Sequence, residues 1–156
     1  MLQLLSVFFL VACSAPEGDS ADTSAELFGQ LELSFSLDED QQDRMDESPI
    51  GAFTGSFYRA SDVTVLGPND GAEDLGDIFV EEVDLRAGNT EVLFSSADLP
   101  VDAVVVLGFL DSDSNRDLES PDPDRKDPVT LPGENTFLVV ADTTTEAVVH
   151  FGFLKP

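Results

Sequence analysis

Apolar and polar residues alternate in several short stretches of the chain. Leu27, Gly29, Leu31, Leu33, Phe35 and Leu37 stand on odd positions, with Glu32, Ser34 and Ser36 between the last four of them. A period of two is typical of a β-strand with one buried face. Residues 103–110 are apolar on both phases, which predicts a central strand that is covered on both faces. No segment keeps a period of 3.6 over ten residues, so no long helix is predicted.

Further strand-like runs are separated by turn signals. Gly67, Pro68 and Gly71 mark one turn, and residues 142–146 predict a hairpin between the last two runs. Short strands at regular spacing favour an all-β fold, a single antiparallel β-sandwich of about seven to nine strands in residues 26–156. The further runs are residues 50–58, 63–66, 78–85, 90–94, 135–141 and 147–154.

The charge balance of the chain narrows its possible partners. The 156 residues include 32 Asp and Glu but only 7 Lys and Arg, a formal net charge of −25. This length suits one domain. Such acidity argues against nucleic-acid binding and against electrostatic docking on anionic lipid. One His, one Cys and no Trp exclude His/Cys zinc sites and disulfide frameworks.

The first thirteen residues form an almost wholly apolar run that ends at Cys13. This run is too short to span a bilayer, which takes about 20 residues. It matches the apolar part of a secretory signal, with the small residue Ala12 at the cleavage point, although no Lys or Arg precedes Cys13. Small and polar residues follow, which are typical of a solvated tether. The alternative is that Cys13 is an ordinary buried thiol of an N-terminal strand.

The sequence Leu10-Val11-Ala12-Cys13 resembles the bacterial lipobox. The resemblance implies a signal peptide over residues 1–12 and a lipidated Cys13 at the start of a tether over residues 13–25. Two or three acyl chains would anchor the protein permanently in a membrane. Ser14 does not resemble an inner-membrane retention signal, so the expected location is the outer membrane or cell surface of a bacterium.

An acidic loop follows the central strand and carries the one motif with recognisable chemistry. Oxygen-bearing side chains alternate with small residues from Asp111 through Asp113 to Asn115. A tight turn would aim alternate side chains at one centre, and Ca²⁺ takes six to eight oxygen ligands. Counted from Asp111, further ligands fall at positions 7, 9 and 12. These are a backbone carbonyl at Asp117, Glu119 directly or through water, and Asp122.

This loop resembles the calcium loops of EF-hand and dockerin domains, but Arg116 stands where those loops have Gly. A strand rather than a helix leads into it. The loop therefore looks more like that of calcium-stabilised transthyretin-like β-sandwich domains of secreted bacterial proteins. In those domains Asp-x-Asp-x-Asn follows a core strand and a later Asp-Pro pair resumes the sheet. By that analogy Asp127, which precedes Pro128, joins the ligands and the calcium loop covers residues 111–127.

These features predict a lipid-anchored envelope lipoprotein with a structural Ca²⁺, acting as a non-catalytic binding or structural module. The membrane partner is reached through Cys13, and any protein or polysaccharide partner is left open. One alternative is an interaction module without a metal, in which residues 111–127 are a solvated acidic loop. A second acidic cluster within residues 38–47 fits a solvated face better than a cation site. No catalytic residues are predicted, although a carboxylate pair would suffice for a glycosidase.

Overall fold

The computed structural model describes residues 26–45, 48–117 and 121–156. The predicted signal peptide, Cys13, the tether over residues 13–25 and Glu119 lie outside these residues. Within them the chain forms short strands, one helical turn (α1, Glu39–Gln42) and a 3-10 turn (Ala60–Asp62). None of the described helices is long and apolar enough to cross a membrane.

The strands, in chain order, are β1 (Phe28–Leu37), β2 (Ile50–Arg59), β3 (Val63–Thr64), β4 (Gly67–Pro68), β5 (Asp74–Asp84), β6 (Phe94–Ser95), β7 (Leu99–Pro100), β8 (Ala103–Asp111), β9 (Pro128–Val129), β10 (Thr136–Leu138), β11 (Thr144–Phe151) and β12 (Phe153–Leu154). Two sheets result. The first has the order β11-β1-β6, with β7 also pairing β1. The second has the order β12-β9-β8-β2-β5, with β10 also pairing β8, and β3 and β4 form a small separate hairpin.

The two sheets pack face to face through an aromatic core. Phe35 of the first sheet lies 4.8 Å from Phe53 of the second, measured between ring centroids, and Phe151 lies 5.7 Å from Phe53. All three rings are fully buried. Phe53 also covers the cross-strand pair Gly55 and Gly108, where an added Cβ would meet its ring or the opposite backbone. The predicted all-β sandwich is confirmed, and every strand and core residue described lies within residues 28–154.

The central strand is covered on both faces, as its continuous apolar run predicts. Val104, Val106 and Leu110 of β8 belong to the core between the sheets. Val105 and Phe109, on the opposite phase, are 2% and 4% exposed. The next residue on that outer phase is Asp111, so the alternation of β8 carries a carboxylate onto the outer face of the second sheet.

The predicted hairpin between the last two runs is wrong. β10 pairs with β8 in the second sheet, whereas β11 pairs in parallel with β1 in the first sheet. The turn at Asp142, with φ of 54°, therefore leads the chain across from one sheet to the other. This crossing places the apolar face of β11 against the core, where Val149 and Phe151 are fully buried. The β1–β11 pair is also an exception to the antiparallel pattern.

Candidate metal centre

Three aspartates from two strand ends and one loop converge beside the second sheet. Asp111 ends β8, Asp113 follows in the loop, and Asp127 immediately precedes β9. One carboxylate oxygen of each lies within 4.8 Å of the others. Asp111 and Asp127 are each only 2% exposed, while Asp113 is exposed. Because β8 and β9 pair at Phe109 and Val129, the sheet itself fixes the two buried aspartates side by side.

Two sharp turns give the loop its shape. Ser114 has φ of 62° and Lys126 has φ of 76°, both in the left-handed region that favours glycine. Each such residue costs roughly 1–2 kcal/mol of backbone strain, so the surrounding contacts must hold it in place. Pro128 restricts Asp127 to extended backbone, which starts β9 directly after the second turn. The turns thus bring both ends of the loop back to the sheet.

Hydrogen bonds tie the loop to the three carboxylates. The backbone N–H of Asn115 donates to Asp111 Oδ1 at 3.1 Å, and the N–H of Asp124 donates to Asp127 Oδ2 at 3.0 Å. The N–H of Ser112 reaches Asp127 Oδ1 at 3.5 Å. Asn115 Nδ2 donates to Asp113 Oδ2 at 2.8 Å and to Asp124 Oδ2 at 2.6 Å. The side chain of Asn115 therefore lies within the carboxylate cluster.

Burial and neighbouring charge act strongly on Asp127. The pKa of this carboxyl is raised from 3.8 to about 6, chiefly by burial, because the charged form loses its hydration. The charges of Asp124 and Asp111 contribute to this rise, and the hydrogen bonds from the backbone of Asp124 and Ser112 oppose it. A nearby positive charge would stabilise the charged form of Asp127 and lower its pKa. Asp127 is therefore a carboxylate that is poorly compensated in the absence of a cation.

Arg116 supplies one positive charge to the cluster. Its Nη1 lies 3.6 Å from Asp111 Oδ2, and its side chain is only 16% exposed. Its guanidinium carbon lies 4.8 Å from the centre of the Phe79 ring on β5, within the range of a cation–π contact. Arg116, which occupies the position of the EF-hand glycine, is therefore the counter-ion of Asp111.

The predicted ligands fall into three groups in the structure. Asp111, Asp113 and Asp127 lie together, and Asn115 is hydrogen-bonded among them. Asp117 and Asp122 are not members of the three-carboxylate group. Glu119 lies outside the described residues. Sequence reasoning missed Asp124, whose backbone and side chain both bond within the cluster; its spacing of three residues before Asp127 was the available signal.

The arrangement suits a hard cation. Three aspartates offer up to six carboxylate oxygens, and Asn115 adds an amide oxygen if its side-chain amide is turned over. Ca²⁺ accepts such oxygen ligands in flexible geometry, at roughly 2.3–2.6 Å. Comparison with protein-family models, with curated proteins and with solved structures found no match to this chain. The chemistry of the centre therefore rests on its residues alone.

Proposed function

We propose that this chain is a lipid-anchored protein of a bacterial envelope whose β-sandwich is stabilised by one structural Ca²⁺. In this proposal the protein acts as a non-catalytic binding or structural module. The observation that carries the proposal is the convergence of Asp111, Asp113 and Asp127, two of them buried, at one point between β8 and β9. Two buried carboxylates within 4.8 Å of each other need a positive charge.

The available side-chain cations do not supply enough charge. Residues 111–127 contain seven carboxylates and three cations, a local net charge of −4. Arg116 neutralises Asp111, and Lys126 Nζ donates to the backbone carbonyl of Arg44 at 2.8 Å. A divalent ion would halve this local net charge, to −2, and would link the end of β8 to the start of β9. Mg²⁺ fits less well, because it prefers fewer protein ligands and more water.

In the proposed site Asp111, Asp113 and Asp127 bind the ion directly. Asn115 Nδ2 now donates to two carboxylates, and a rotated amide would offer its oxygen to the ion instead. The carbonyl of Asp117, with Glu119 and Asp122, would complete the shell after a rearrangement of the loop. The role of the ion is structural: it would replace carboxylate repulsion by ligation and fix the long connection between two neighbouring strands.

The stability of the soluble fragment 14–156, which retains the whole described sandwich, tests the metal. Ca²⁺ at 100 times its dissociation constant adds about 2.7 kcal/mol. For a domain of this size that corresponds to a rise in melting temperature of about 10 °C. Asp111→Asn should abolish the rise, whereas Asp70→Asn, which removes an exposed loop carboxylate, should keep it. An equal melting temperature with millimolar Ca²⁺ and with EGTA would reject the metal.

The anchor is tested separately in bacteria that are fed a radiolabelled fatty acid. The full chain should take up the label and partition into detergent, because acylated Cys13 would bury many methylene groups, each contributing about 0.8 kcal/mol. Cys13→Ser should remain unlabelled and unprocessed. Equal labelling of the wild type and Cys13→Ser would exclude Cys13 as the lipid attachment point.

The side chains outside the acidic loop support a non-catalytic role. The single histidine, His150, is exposed on β11, and its Nδ1 lies 2.7 Å from Ser36 Oγ on β1. Within the described part of the chain no carboxylate hydrogen-bonds to this ring, so the pair lacks the third group that orients a catalytic histidine.

A further inference from the structure

The outer face of the second sheet carries a groove beside the three clustered aspartates, none of which lines it. Strand alternation places Phe53 and Phe57 of β2 in the core and turns Thr54, Ser56 and Tyr58 outward. These outward residues line a groove with a volume of about 830 Å³. Phe79 and Phe109, the β3–β4 hairpin and the proline-containing segments 121–123 and 131–132 also line it.

The lining combines uncovered apolar surface with a few polar groups. Val65 and Leu66 at the tip of the β3–β4 hairpin are 88% and 96% exposed, and Phe79 is 53% exposed. Thr54 Oγ1 is buried and has no hydrogen-bond partner among the described residues, which is a rare and unfavourable state. Pockets for small organic ligands are usually mostly apolar, hold a few placed polar groups and measure roughly 300–1,000 Å³. The groove has these properties.

Charge selects the kind of ligand. Among the described residues that line the groove, Asp77 and Asp122 are the charged ones, and none is Lys, Arg or His. Asp77 Oδ1 accepts a hydrogen bond from Ser56 Oγ at 3.1 Å and has no ion-pair partner among the described residues. Arg116 stacks on Phe79, but its charge lies against Asp111. In a protein of net charge −25, this groove would repel an anion and attract a cation.

We propose that the groove binds a small amphipathic organic cation. Its apolar body would lie against Phe79 and the hairpin residues Val65 and Leu66, and its ammonium group would approach the carboxylates of Asp77 and Asp122. Such a ligand removes exposed apolar surface from water and places one positive charge beside two carboxylates, which lowers their net charge from −2 to −1. None of the three clustered aspartates lines the groove, and Asp122 is the one residue that it shares with the proposed metal shell. Binding is therefore measured on chelator-stripped protein, in which no metal competes for Asp122.

Tyr58 makes the groove directly observable. It is the only tyrosine, and the chain has no tryptophan, so the intrinsic fluorescence of the protein reports on a residue that lines the groove. We would titrate fragment 14–156 with octylammonium, octanol and octanoate, which share an alkyl chain and differ in charge. Octylammonium should give a saturable change with a dissociation constant at least about tenfold below that of octanol, and octanoate should give none.

Two double variants separate the groove from general attraction by an acidic protein. Asp77→Asn with Asp122→Asn should weaken octylammonium binding about tenfold, since each partly screened ion pair contributes a few-fold. Glu91→Gln with Glu146→Gln removes the same charge from exposed positions outside the groove and should leave binding within about twofold. Equal weakening by both pairs, equal affinity for octanol and octylammonium, or a response that does not saturate would each overturn the proposal.

Discussion

Replacing Asp127 by Asn tests whether a buried carboxylate without a metal destabilises the sandwich. Asp127 is 2% exposed, and burial raises its pKa from 3.8 to about 6. The folded protein therefore holds a proton on this group more tightly than the unfolded chain does. Its contribution to stability is present in full below pH 4 and is lost as the pH rises through about 6. The loss is at most about 3 kcal/mol for the metal-free protein, because solvent that reaches the group screens part of the effect.

Asp127→Asn cannot ionise, so it should escape this loss. The amide keeps one acceptor oxygen for the backbone N–H groups of Asp124 and Ser112, and the weakened hydrogen bonding costs roughly 1 kcal/mol. At pH 7 and without metal, the variant should therefore be more stable than the wild type, by up to about 2 kcal/mol. At pH 4 it should be less stable by about 1 kcal/mol. With saturating Ca²⁺ at pH 7 the order should reverse, because the variant lacks a ligand.

Urea unfolding, followed by circular dichroism between pH 4 and 7, measures these differences on chelator-stripped fragment 14–156. The acidity of the whole chain also makes stability depend on pH, so only the difference between each variant and the wild type is interpreted. Asp70→Asn, which removes an equal charge from an exposed loop, should show a small difference that hardly changes with pH. A constant difference between the wild type and Asp127→Asn from pH 4 to 7 would refute the burial argument.

Three further variants test the loop and the core. Arg116→Gln should lower the metal-free stability by roughly 1 kcal/mol. It should also raise the affinity for Ca²⁺ several-fold, because no guanidinium then competes with the ion for Asp111. An unchanged Ca²⁺ affinity, measured by calorimetry, would show that Arg116 is not part of the site. Phe53→Ala should cost about 3–5 kcal/mol in urea unfolding, while half-exposed Phe153→Ala should cost under about 1 kcal/mol. Gly108→Ala should cost about 1–3 kcal/mol, because its Cβ would clash with the backbone carbonyl oxygen of Thr54 and would lie 2.6 Å from Phe53 Cζ. The Cβ of Gly133→Ala meets nothing within 4 Å, and an equal cost there would contradict this packing.

Strand identity could be predicted from the sequence, because burial of one face leaves a period of two. In β1, Leu31, Leu33, Phe35 and Leu37 are buried and the residues between them are partly exposed, as the alternation predicts. The double-phase apolar run of β8 likewise has both of its faces covered.

Strand pairing could not be predicted in the same way. The turn around Asp142 has the composition of a hairpin, yet it connects β10 in one sheet to β11 in the other. Turn residues determine the local direction of the chain, whereas the partner of a strand depends on contacts over a hundred residues away, such as the pairing of Phe35 with Val149.

Part of the candidate metal centre could be predicted from the spacing of its residues along the chain. The alternation from Asp111 to Asn115 follows from local geometry, and it identifies two members of the three-carboxylate group. Asp127 was predicted as a ligand only from the family resemblance, because its closeness to Asp111 depends on the pairing of β9 with β8. The outer groove left no sequence signal, since its lining comes from segments that are distant along the chain.

A crystal of fragment 14–156 grown with Ca²⁺ would reveal the proposed ion in its anomalous difference map. A structural Ca²⁺ should give one peak between β8 and β9, with oxygens of Asp111, Asp113 and Asp127 at roughly 2.3–2.6 Å from it. A map with no peak there, and with Arg116 still paired to Asp111, would contradict the proposed site.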